Sequence, residues 1–488
     1  MSNNERKNMA RATNQLNMGY IWMMCLVAAC GGLLFGYDWV VIGGAKPFYE
    51  AYFSITDPAQ SGWAMSSALV GCVFGALISG WCADRLGRKR PLILAAILFA
   101  VSSWGTAIAG SFDEFVLYRI MGGVGIGLAS ALSPMYIAEV SPADKRGKFV
   151  AVNQLTIVIG VLAAQLVNLL IAEPVESSAT TADLLQSWNG QTGWRWMFGA
   201  ELVPALAFLV LMFFVPESPR WLAKAGKVEK ARGVLQRIGN QHYAQTTLDD
   251  ILRTLGSDSQ KVPVTELLNP KVRPIIVIGI VLAMFQQWCG INVIFNYAQE
   301  IFASAGFDIN DTLKSIVATG LINLIFTILA LPLVDKLGRR KLMLIGSLGL
   351  TIIYVLIAGA YAFGVLGLPV LLLVLAAIAI YALTLAPVTW VLLSEIFPNR
   401  IRGMAMAVGT FSLWIACFLL TYTFPLLNAG LGASGSFLLY GVICMAGFVF
   451  IRARVPETKG VTLEALEDVL SGGGQSTSSN NEGMVEVK

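Results

Sequence analysis

Three ionisable residues, Asp38, Arg119 and Glu201, lie inside long apolar stretches of the sequence. A charge at the centre of a bilayer is costly, so such residues are functional candidates. Burial favours the protonated form of a carboxylate, whereas a neighbouring guanidinium favours the ionised form. An aspartate that gains and loses Arg119 in a conformational cycle would therefore bind and release a proton. We predict that Asp38 is the proton acceptor and that its protonation frees Arg119. Glu201 either relays the proton or supports the pair, and the alternative is a static ion pair that fixes helix packing.

A second group of residues combines side-chain amides with tryptophans inside apolar stretches. Amides supply paired hydrogen-bond donors and acceptors, and aromatic rings supply flat surfaces on which a small ring can stack. Amides are costly to bury in lipid, so a cluster of them predicts a polar cavity. The residues of this group are Gln154, Gln286, Gln287, Asn292, Asn296, Asn323, Trp390 and Trp414. Gly290 and Pro387 predict helix breaks beside them, where backbone groups can line a cavity.

The composition excludes an ordinary soluble protein. The 488 residues are 56% hydrophobic and 13% charged, about half of the roughly 25% charged residues of soluble chains. Many apolar runs are long enough to cross a bilayer, which needs about 20 residues. No nucleophile–base pair is evident, and the seven cysteines have no metal-ligand spacing with the single histidine, His242. We therefore expect no enzyme activity, no disulfide, no metal, no cofactor other than a coupling proton, and no nucleic-acid partner.

Twelve spans carry these residues, six on each side of a polar interlude. We number them in chain order as spans 1 to 12, and each supplies enough apolar length to form a transmembrane helix. Their predicted bounds are 20–45, 61–83, 91–111, 115–139, 149–172, 194–215, 273–302, 313–334, 341–363, 367–394, 404–427 and 434–453.

The distribution of Lys and Arg predicts the orientation of the spans. With both termini in the cytoplasm, all but four of the 34 cations fall on the inner side; the four are Lys46, Arg119, Arg195 and Lys314. Asp38, Arg119 and Glu201 then lie roughly 6–11 Å below the outer ends of spans 1, 4 and 6, at about 1.5 Å per residue. Their shared depth permits an ion pair with a second carboxylate nearby.

Three motifs occur twice in the same order, which indicates an internal duplication of roughly 250 residues. The basic loop 84–90 returns at 335–341, and the segment 139–147 returns at 395–403. A looser pair is 216–220 against 456–460. The predicted domains are an N-tail (1–19), a six-helix bundle (20–215), a cytoplasmic helical linker (216–272), a second bundle (273–453) and a C-tail (454–488) that is disordered from about 470. An amphipathic helix is expected at 227–239, with others near 246–255 and 263–269.

Together these motifs resemble those of the sugar porter family within the major facilitator superfamily. The resemblance covers residues 20–468 and is carried by the two Asp-x-x-Gly-Arg loops, by Arg119 in 118–123, and by the segments 216–222, 286–292, 390–398 and 456–460. The motifs are similar to those of bacterial xylose–proton symporters. The implied fold is an all-α polytopic membrane protein with twelve transmembrane helices in two parallel six-helix repeats and a cytoplasmic helical linker.

The resemblance also implies a function, namely uptake of a monosaccharide coupled to proton symport by alternating access. It assigns sugar contacts to Gln154, Gln286, Gln287, Asn292, Asn323, Trp390 and Trp414, and it supports the proton role of Asp38. Phe35, one turn before Asp38, could close over the sugar. The alternatives are a proton-independent uniporter and a sugar sensor without transport. The expected location is the plasma membrane, or the inner membrane of a Gram-negative bacterium, and we expect a monomer.

Three departures from the xylose-symporter pattern leave the sugar open among pentoses and hexoses. Val161 replaces a second glutamine, Asn296 stands where a tyrosine is usual, and Ala386 precedes Pro387 where glycine is common. The first change removes a hydrogen-bonding group, and the second exchanges an aromatic lid for a small amide.

The duplicated motifs also predict salt bridges at the cytoplasmic side. Bridges that form only when the inner side is closed would favour the outward-facing state. We expect Glu139 to pair with Arg146 and Glu395 to pair with Arg402, and we expect the gate residues together to link helix ends across the two halves. The other gate residues are Arg85, Arg88, Glu217 and Arg339.

Overall fold

The computed structural model describes residues 16–176, 179–257, 263–270, 272–397 and 401–458. In these ranges the chain is helical and forms no strand beyond one isolated bridge between Leu16 and Gly239. The predicted N-tail lies largely outside the described residues, and so does the C-tail with its expected disorder from about 470. The all-α fold class is confirmed.

The spans are helices, several of them in two or three pieces. In chain order their bounds are Met18–Tyr52, Pro58–Leu86, Lys89–Ile108, Phe112–Val140, Arg146–Ile171, Trp194–Gly199 with Leu202–Phe214, Arg273–Trp288 with Ile291–Asn296 and Ala298–Ser304, Ile309–Leu337, Arg339–Ala362, Leu368–Leu383 with Leu385–Ile396, and Arg402–Arg454.

Eleven continuous segments of the described chain are long and apolar enough to cross a membrane. The last of them, Arg402–Arg454, contains two predicted spans, since Gly432 breaks its helical geometry with φ 68° and ψ 176°. The twelve-span prediction therefore holds. Large apolar side chains such as Trp104, Phe214 and Phe363 are exposed, as expected for helices whose outer faces meet lipid rather than water.

Two helix breaks lie four residues before a proline, because the proline ring clashes with the carbonyl of the residue four positions earlier. In span 10 the first helix ends at Leu383, four residues before Pro387. In span 6 the break falls at Ala200, four residues before Pro204. The break in span 10 was predicted from Pro387. The break in span 6, which places Glu201 between two helices, was not.

The predicted linker contains the expected amphipathic helix at Val228–Ile238, with Ala231, Leu235 and Ile238 buried. A helix at Gln241–Ser257 and a 3₁₀ turn at Val264–Leu268 match the other two expectations. A short helix at Pro219–Lys224, capped by the Ser218 hydroxyl, was not predicted.

The chain forms two compact units. Among the described residues, the first unit comprises 16–38, 70–161 and 198–257, and the second comprises 39–69, 162–197 and the described residues from 263 to 458. The boundary cuts span 1 between Asp38 and Trp39, so the outer half of span 1 packs within the second unit. The division into bundles 20–215 and 273–453 stays a prediction.

Outside the spans, a short helix at Thr181–Gln186 follows a capping box in which Thr180 and Asp183 exchange hydrogen bonds. A π-turn at Asn189–Gly193 leads from it into span 6.

Candidate functional site

The first unit contains a buried ion pair between Asp38 of span 1 and Arg119 of span 4. Arg119 Nη1 contacts Asp38 Oδ1, and Nη2 donates to the Asp38 carbonyl oxygen at 3.2 Å. The two residues are 1% and 2% exposed. The Arg119 guanidinium also lies 5.5 Å from the ring centroid of Phe198. The structure thus brings together the pair that the apolar context predicted.

Glu201 completes this cluster from the junction between the two helices of span 6. It is 1% exposed, and Oε2 accepts a hydrogen bond from Ser103 Oγ at 3.1 Å. Asp38 and Arg119 lie within electrostatic range of Glu201. One guanidinium therefore faces two carboxylates in a site closed to solvent, in contact with Asp38 and within electrostatic range of Glu201. Because a buried, uncompensated charge is costly, one bound proton would balance this site.

Three polar atoms of the cluster have no hydrogen-bond partner in the described part of the chain: Asp38 Oδ2, Arg119 Nε and Glu201 Oε1. Unpaired buried polar atoms are rare in native structures and call for an explanation. A carboxylate oxygen without a partner is a place where a proton can be held. The cluster has the atoms needed to hold a proton on either acid.

The second unit contains a continuous chain of side-chain hydrogen bonds between spans 7, 10 and 11. Gln286 Nε2 donates to the Tyr381 hydroxyl at 2.7 Å. Gln287 Nε2 donates to Gln286 Oε1, and Asn292 Nδ2 donates to Gln287 Oε1. Asn292 Nδ2 also lies 3.6 Å from Cys417 Sγ. Three of the four predicted amides of span 7 are therefore in direct contact, whereas Tyr381 was not predicted.

The two helix breaks place these side chains together. Gly290 separates Arg273–Trp288 from Ile291–Asn296 and has φ +85°. Tyr381 lies three residues before Thr384, where the helix of span 10 is interrupted. Amides bonded to one another can exchange these bonds for hydrogen bonds to the hydroxyl groups of a ligand, since hydroxyls both donate and accept. The arrangement suits a small polyhydroxylated molecule.

Substitution of Gly290 by alanine should destabilise the protein. A side chain at positive φ costs about 1–2 kcal/mol, and a Cβ at this position would lie 2.8 Å from Tyr440 Cγ. We expect the apparent melting temperature in detergent, followed by tryptophan fluorescence, to fall by about 2 °C or more.

Gly359→Ala is the matched control for this prediction, because Gly359 lies inside a helix and its Cβ would meet no atom within 4 Å. The control should leave the melting temperature unchanged or raise it, since alanine favours a helix by up to about 1 kcal/mol over glycine. Equal melting temperatures for both variants would contradict the role assigned to Gly290.

The remaining predicted sugar contacts divide between the units. In the first unit, Phe35 and Gln154 are half-buried. In the second unit, Asn323 and Trp414 are buried, while Trp390 is 37% exposed. The ring of Trp414 lies 6.0 Å from that of Trp39.

Two of the positions that depart from the xylose-symporter pattern are buried. Val161 is buried in the first unit. Asn296 is buried in the second, and its Oδ1 has no hydrogen-bond partner among the described residues.

The inner end of the first unit holds a compact polar cluster around Arg88. Its Nη2 contacts Glu139 Oε1 at 2.7 Å, and its backbone N–H donates to Glu217 Oε1 at 2.8 Å. Ser218 Oγ donates to the second Glu139 oxygen at 2.5 Å. Gly87 has φ +90°, which turns the chain so that Glu217 can receive the backbone N–H groups that follow. We call this group the first inner cluster.

The second unit repeats this cluster with equivalent residues. Arg339 Nη2 contacts Glu395 Oε1 at 2.9 Å, and its backbone N–H donates to Glu457 Oε1 at 2.8 Å. Thr458 Oγ1 donates to Glu395 Oε2 at 2.5 Å, and Gly338 has φ +88°. This second inner cluster reproduces the first atom for atom, as a duplicated chain requires.

Two predicted gate contacts differ from those in the structure. Glu139 pairs with Arg88, while Arg146 Nε donates to the Ala138 carbonyl at 2.9 Å. In the same way, Glu395 pairs with Arg339, and Arg402 Nε donates to the Phe397 carbonyl at 3.2 Å. These two arginines neutralise helix-end carbonyls, which is favourable at a helix C-terminus.

Arg85 takes no part in the first inner cluster. It is exposed, and its guanidinium lies 5.2 Å from the ring centroid of Trp81.

Comparison with known proteins identifies the family. Residues 24–470 match the family model described as "Sugar (and other) transporter". The chain is 41% identical over 484 residues to the D-xylose-proton symporter of Escherichia coli K12, covering 93% of this chain and 96% of that one. It is 37% identical over 456 residues to the arabinose-proton symporter of Bacillus subtilis, with the same coverage.

A solved structure agrees with this assignment. The partially occluded inward-open xylose transporter XylE of E. coli matches with a TM-score of 0.80 and 38% identity, over 91% of this chain and all of that one. With the twelve apolar helices and the duplicated inner clusters, these similarities show that the chain is a transporter, not an enzyme, and that it belongs to the sugar porter family of the major facilitator superfamily.

Proposed function

We propose that this protein imports a monosaccharide by proton symport, in a cycle of alternating access. The observation that carries the proposal is the buried ion pair of Asp38 with Arg119 beside the buried acid Glu201, with one oxygen of each acid unpaired. An unpaired oxygen can accept a proton without first losing a hydrogen bond. The symport activity in the names of the E. coli and B. subtilis relatives supports the same function.

The coupling step follows from charge balance in this cluster. When a proton binds to Asp38, its carboxyl group becomes neutral and the ion pair with Arg119 is lost. The guanidinium is then buried without a partner, which is strongly unfavourable. Glu201 is the nearby acid that can take Arg119 in its ionised form. Exchange of Arg119 between the two acids would turn proton binding into movement of spans 1, 4 and 6.

The sugar binds, in this proposal, to the amide chain of span 7. Hydroxyl groups of the sugar replace the contacts that Gln286, Gln287 and Asn292 make with one another, while Trp390 and Trp414 flank the ring. Asn323 in the second unit, and Phe35 and Gln154 in the first, remain proposed contacts. The small amide of Asn296 in place of an aromatic residue leaves room for a hexose as well as a pentose.

The two inner clusters are the proposed cytoplasmic gate. Each joins two helix ends to the segment that follows the sixth or twelfth span, so it makes the inner end of its unit rigid. We place the protein in the plasma membrane, or the inner membrane of a Gram-negative bacterium, with both termini in the cytoplasm and as a functional monomer.

The test is uptake of labelled xylose, glucose, galactose and arabinose into proteoliposomes, with and without an inward proton gradient. We expect one or more of these sugars to accumulate above equilibrium only when the gradient is present. A protonophore should remove the accumulation, and protein-free liposomes should show none. Equilibrating uptake that is insensitive to the gradient would instead identify a uniporter and contradict the proton role of Asp38.

A further inference from the structure

The outer end of span 1 carries a second site in which one cation meets two carboxylates. Lys46 Nζ lies 2.9 Å from Glu50 Oε1 and also contacts Glu300 Oε1. Lys46 is 4% exposed, and its ammonium lies 5.6 Å from the ring centroid of Tyr297. All four residues belong to the second unit. Neither the proton site nor the amide chain uses this cluster, which we call the outer latch.

The two carboxylates of the outer latch are not equivalent. Glu50 is on the same helix as Lys46, one turn later, and Oε1 also accepts a hydrogen bond from Ser61 Oγ at 2.6 Å. Glu300 is on span 7, in the helix Ala298–Ser304, and its Oε2 has no hydrogen-bond partner among the described residues. Lys46 therefore joins span 1 to span 7 through Glu300, while its contact with Glu50 stays within one helix.

This asymmetry suits a contact that must break and reform. Separation of a buried ion pair leaves an uncompensated charge and is strongly unfavourable unless another partner is present. If span 7 moves away from span 1 with Glu300, Glu50 still moves with Lys46 and keeps its ammonium paired. A cavity of about 270 Å³, lined in part by Lys46, Glu50, Asp57 and Glu300, lies at the same place and gives water access to the separated groups.

We propose that Lys46 is an outer gate residue that alternates between two states. In the closed state it bridges Glu50 and Glu300, and in the open state it is held by Glu50 alone. Glu300 thus stabilises closure of the outer side, whereas Glu50 makes opening possible. The proposal rests on the alternating access of the proposed function.

The proposal predicts opposite effects for two substitutions that remove the same charge. Glu300→Gln removes the contact between spans and should favour the outward-open state. Glu50→Gln keeps an acceptor for Ser61 but leaves Lys46 with Glu300 alone, so it should favour the closed state. We expect each to shift the ratio of open to closed molecules by at least about tenfold. Lys46→Gln should act in the same direction as Glu300→Gln.

The measurement is the distance between spin labels at Ser54 and Phe363, obtained by double electron–electron resonance in nanodiscs. Both side chains are exposed and belong to the second unit. Ser54 follows the helix of span 1, and Phe363 lies at the end of span 9, where the Tyr361 hydroxyl donates to the Ile301 carbonyl of span 7 at 2.6 Å. The native cysteines are replaced in the labelled protein. Asp311→Asn is the matched control, because Asp311 pairs with Lys314 within one helix at the same side and should leave the distances unchanged.

Longer distances in Glu300→Gln and shorter ones in Glu50→Gln would support the outer latch. Shifts in the same direction, or no shift in either variant, would show that Lys46 is a static anchor and would overturn the proposal. The distances need neither a sugar gradient nor a proton gradient. A protein that proves to be a uniporter could still pass this test, so failure of proton coupling and failure of the latch can be told apart.

Discussion

Asp38→Asn should abolish sugar accumulation while leaving sugar exchange intact. In one-to-one symport, a gradient of two pH units can drive about 100-fold accumulation of a neutral sugar, because each pH unit corresponds to tenfold. Asparagine has the shape of aspartate but cannot bind or release a proton. We expect the accumulation ratio to fall to about one, measured with labelled sugar in proteoliposomes. Counterflow of labelled against unlabelled sugar should persist, since it requires no net proton movement.

Asp113→Asn is the control for this variant, because Asp113 is an exposed acid in the first turn of span 4, the helix that carries Arg119. It should accumulate sugar like the parent protein. In this variant, Glu201 is the only acid of the cluster that can compensate the charge of Arg119. Folding should therefore be checked independently, by sugar binding in detergent. Accumulation by Asp38→Asn at the parent level would exclude Asp38 as the proton acceptor.

Gln287→Ala should weaken sugar binding more than loss of an end member of the amide chain. Gln287 donates to Gln286 and accepts from Asn292, so its removal deprives Gln286 Oε1 and Asn292 Nδ2 of these hydrogen bonds. An unsatisfied buried polar group costs about 1–3 kcal/mol, so we expect a loss of about 2 kcal/mol, or roughly 30-fold in Kd. Titration of the purified protein with the transported sugar, followed by calorimetry, measures this directly. Tyr381→Phe, which removes one terminal hydroxyl, should weaken binding only a few-fold.

Gln165→Ala provides the comparison for the amide chain. Gln165 is also a buried amide of the second unit, but it donates to Thr319 Oγ1 at 3.2 Å and does not contact the amide chain. Its removal should leave the Kd within about threefold, or roughly 0.7 kcal/mol, because the lost hydrogen bond lies outside the proposed sugar site. Equal losses in the two variants would indicate a general effect of amide removal on packing, and the sugar site would have to lie elsewhere.

The fold was largely predictable because its signals are local. Apolar runs of sufficient length predict the spans. The charged loops that contain Gly87 and Gly338 predict where two of the helices end, within a few residues of the observed bounds. Gly290 and Pro387 indicated their breaks directly. The break before Glu201 was missed because Pro204 lies in an apolar run that is typical of one continuous helix. The clash of a proline ring with the carbonyl four residues earlier would have located this break.

The site was predictable in its residue types but not in its partners. Burial cost alone selected Asp38, Arg119 and the amides of span 7. The structure pairs the first two and joins three of the amides, whereas Asn296 Oδ1 has no hydrogen-bond partner among the described residues. Tyr381 was missed because a tyrosine in an apolar span usually packs as a hydrophobic ring. The partner of Glu139 was assigned to Arg146 from sequence proximity, whereas the fold brings in Arg88 from 51 residues away. The internal duplication does not distinguish Arg88 from Arg146 as the partner of Glu139, because both arginines have an equivalent in the second half of the chain.

The two inner clusters also determine when each half of the protein can mature during synthesis. The first is complete once residue 218 has left the ribosome, so its charges are neutralised while most of the chain is still being made. The second depends on Glu457 and Thr458, so the Arg339 backbone N–H and the second Glu395 oxygen lack these partners until almost the whole chain has been translated. A nonsense mutation shortly before residue 457 would therefore leave every span in place but the second inner cluster incomplete, a defect that quality-control proteases can recognise.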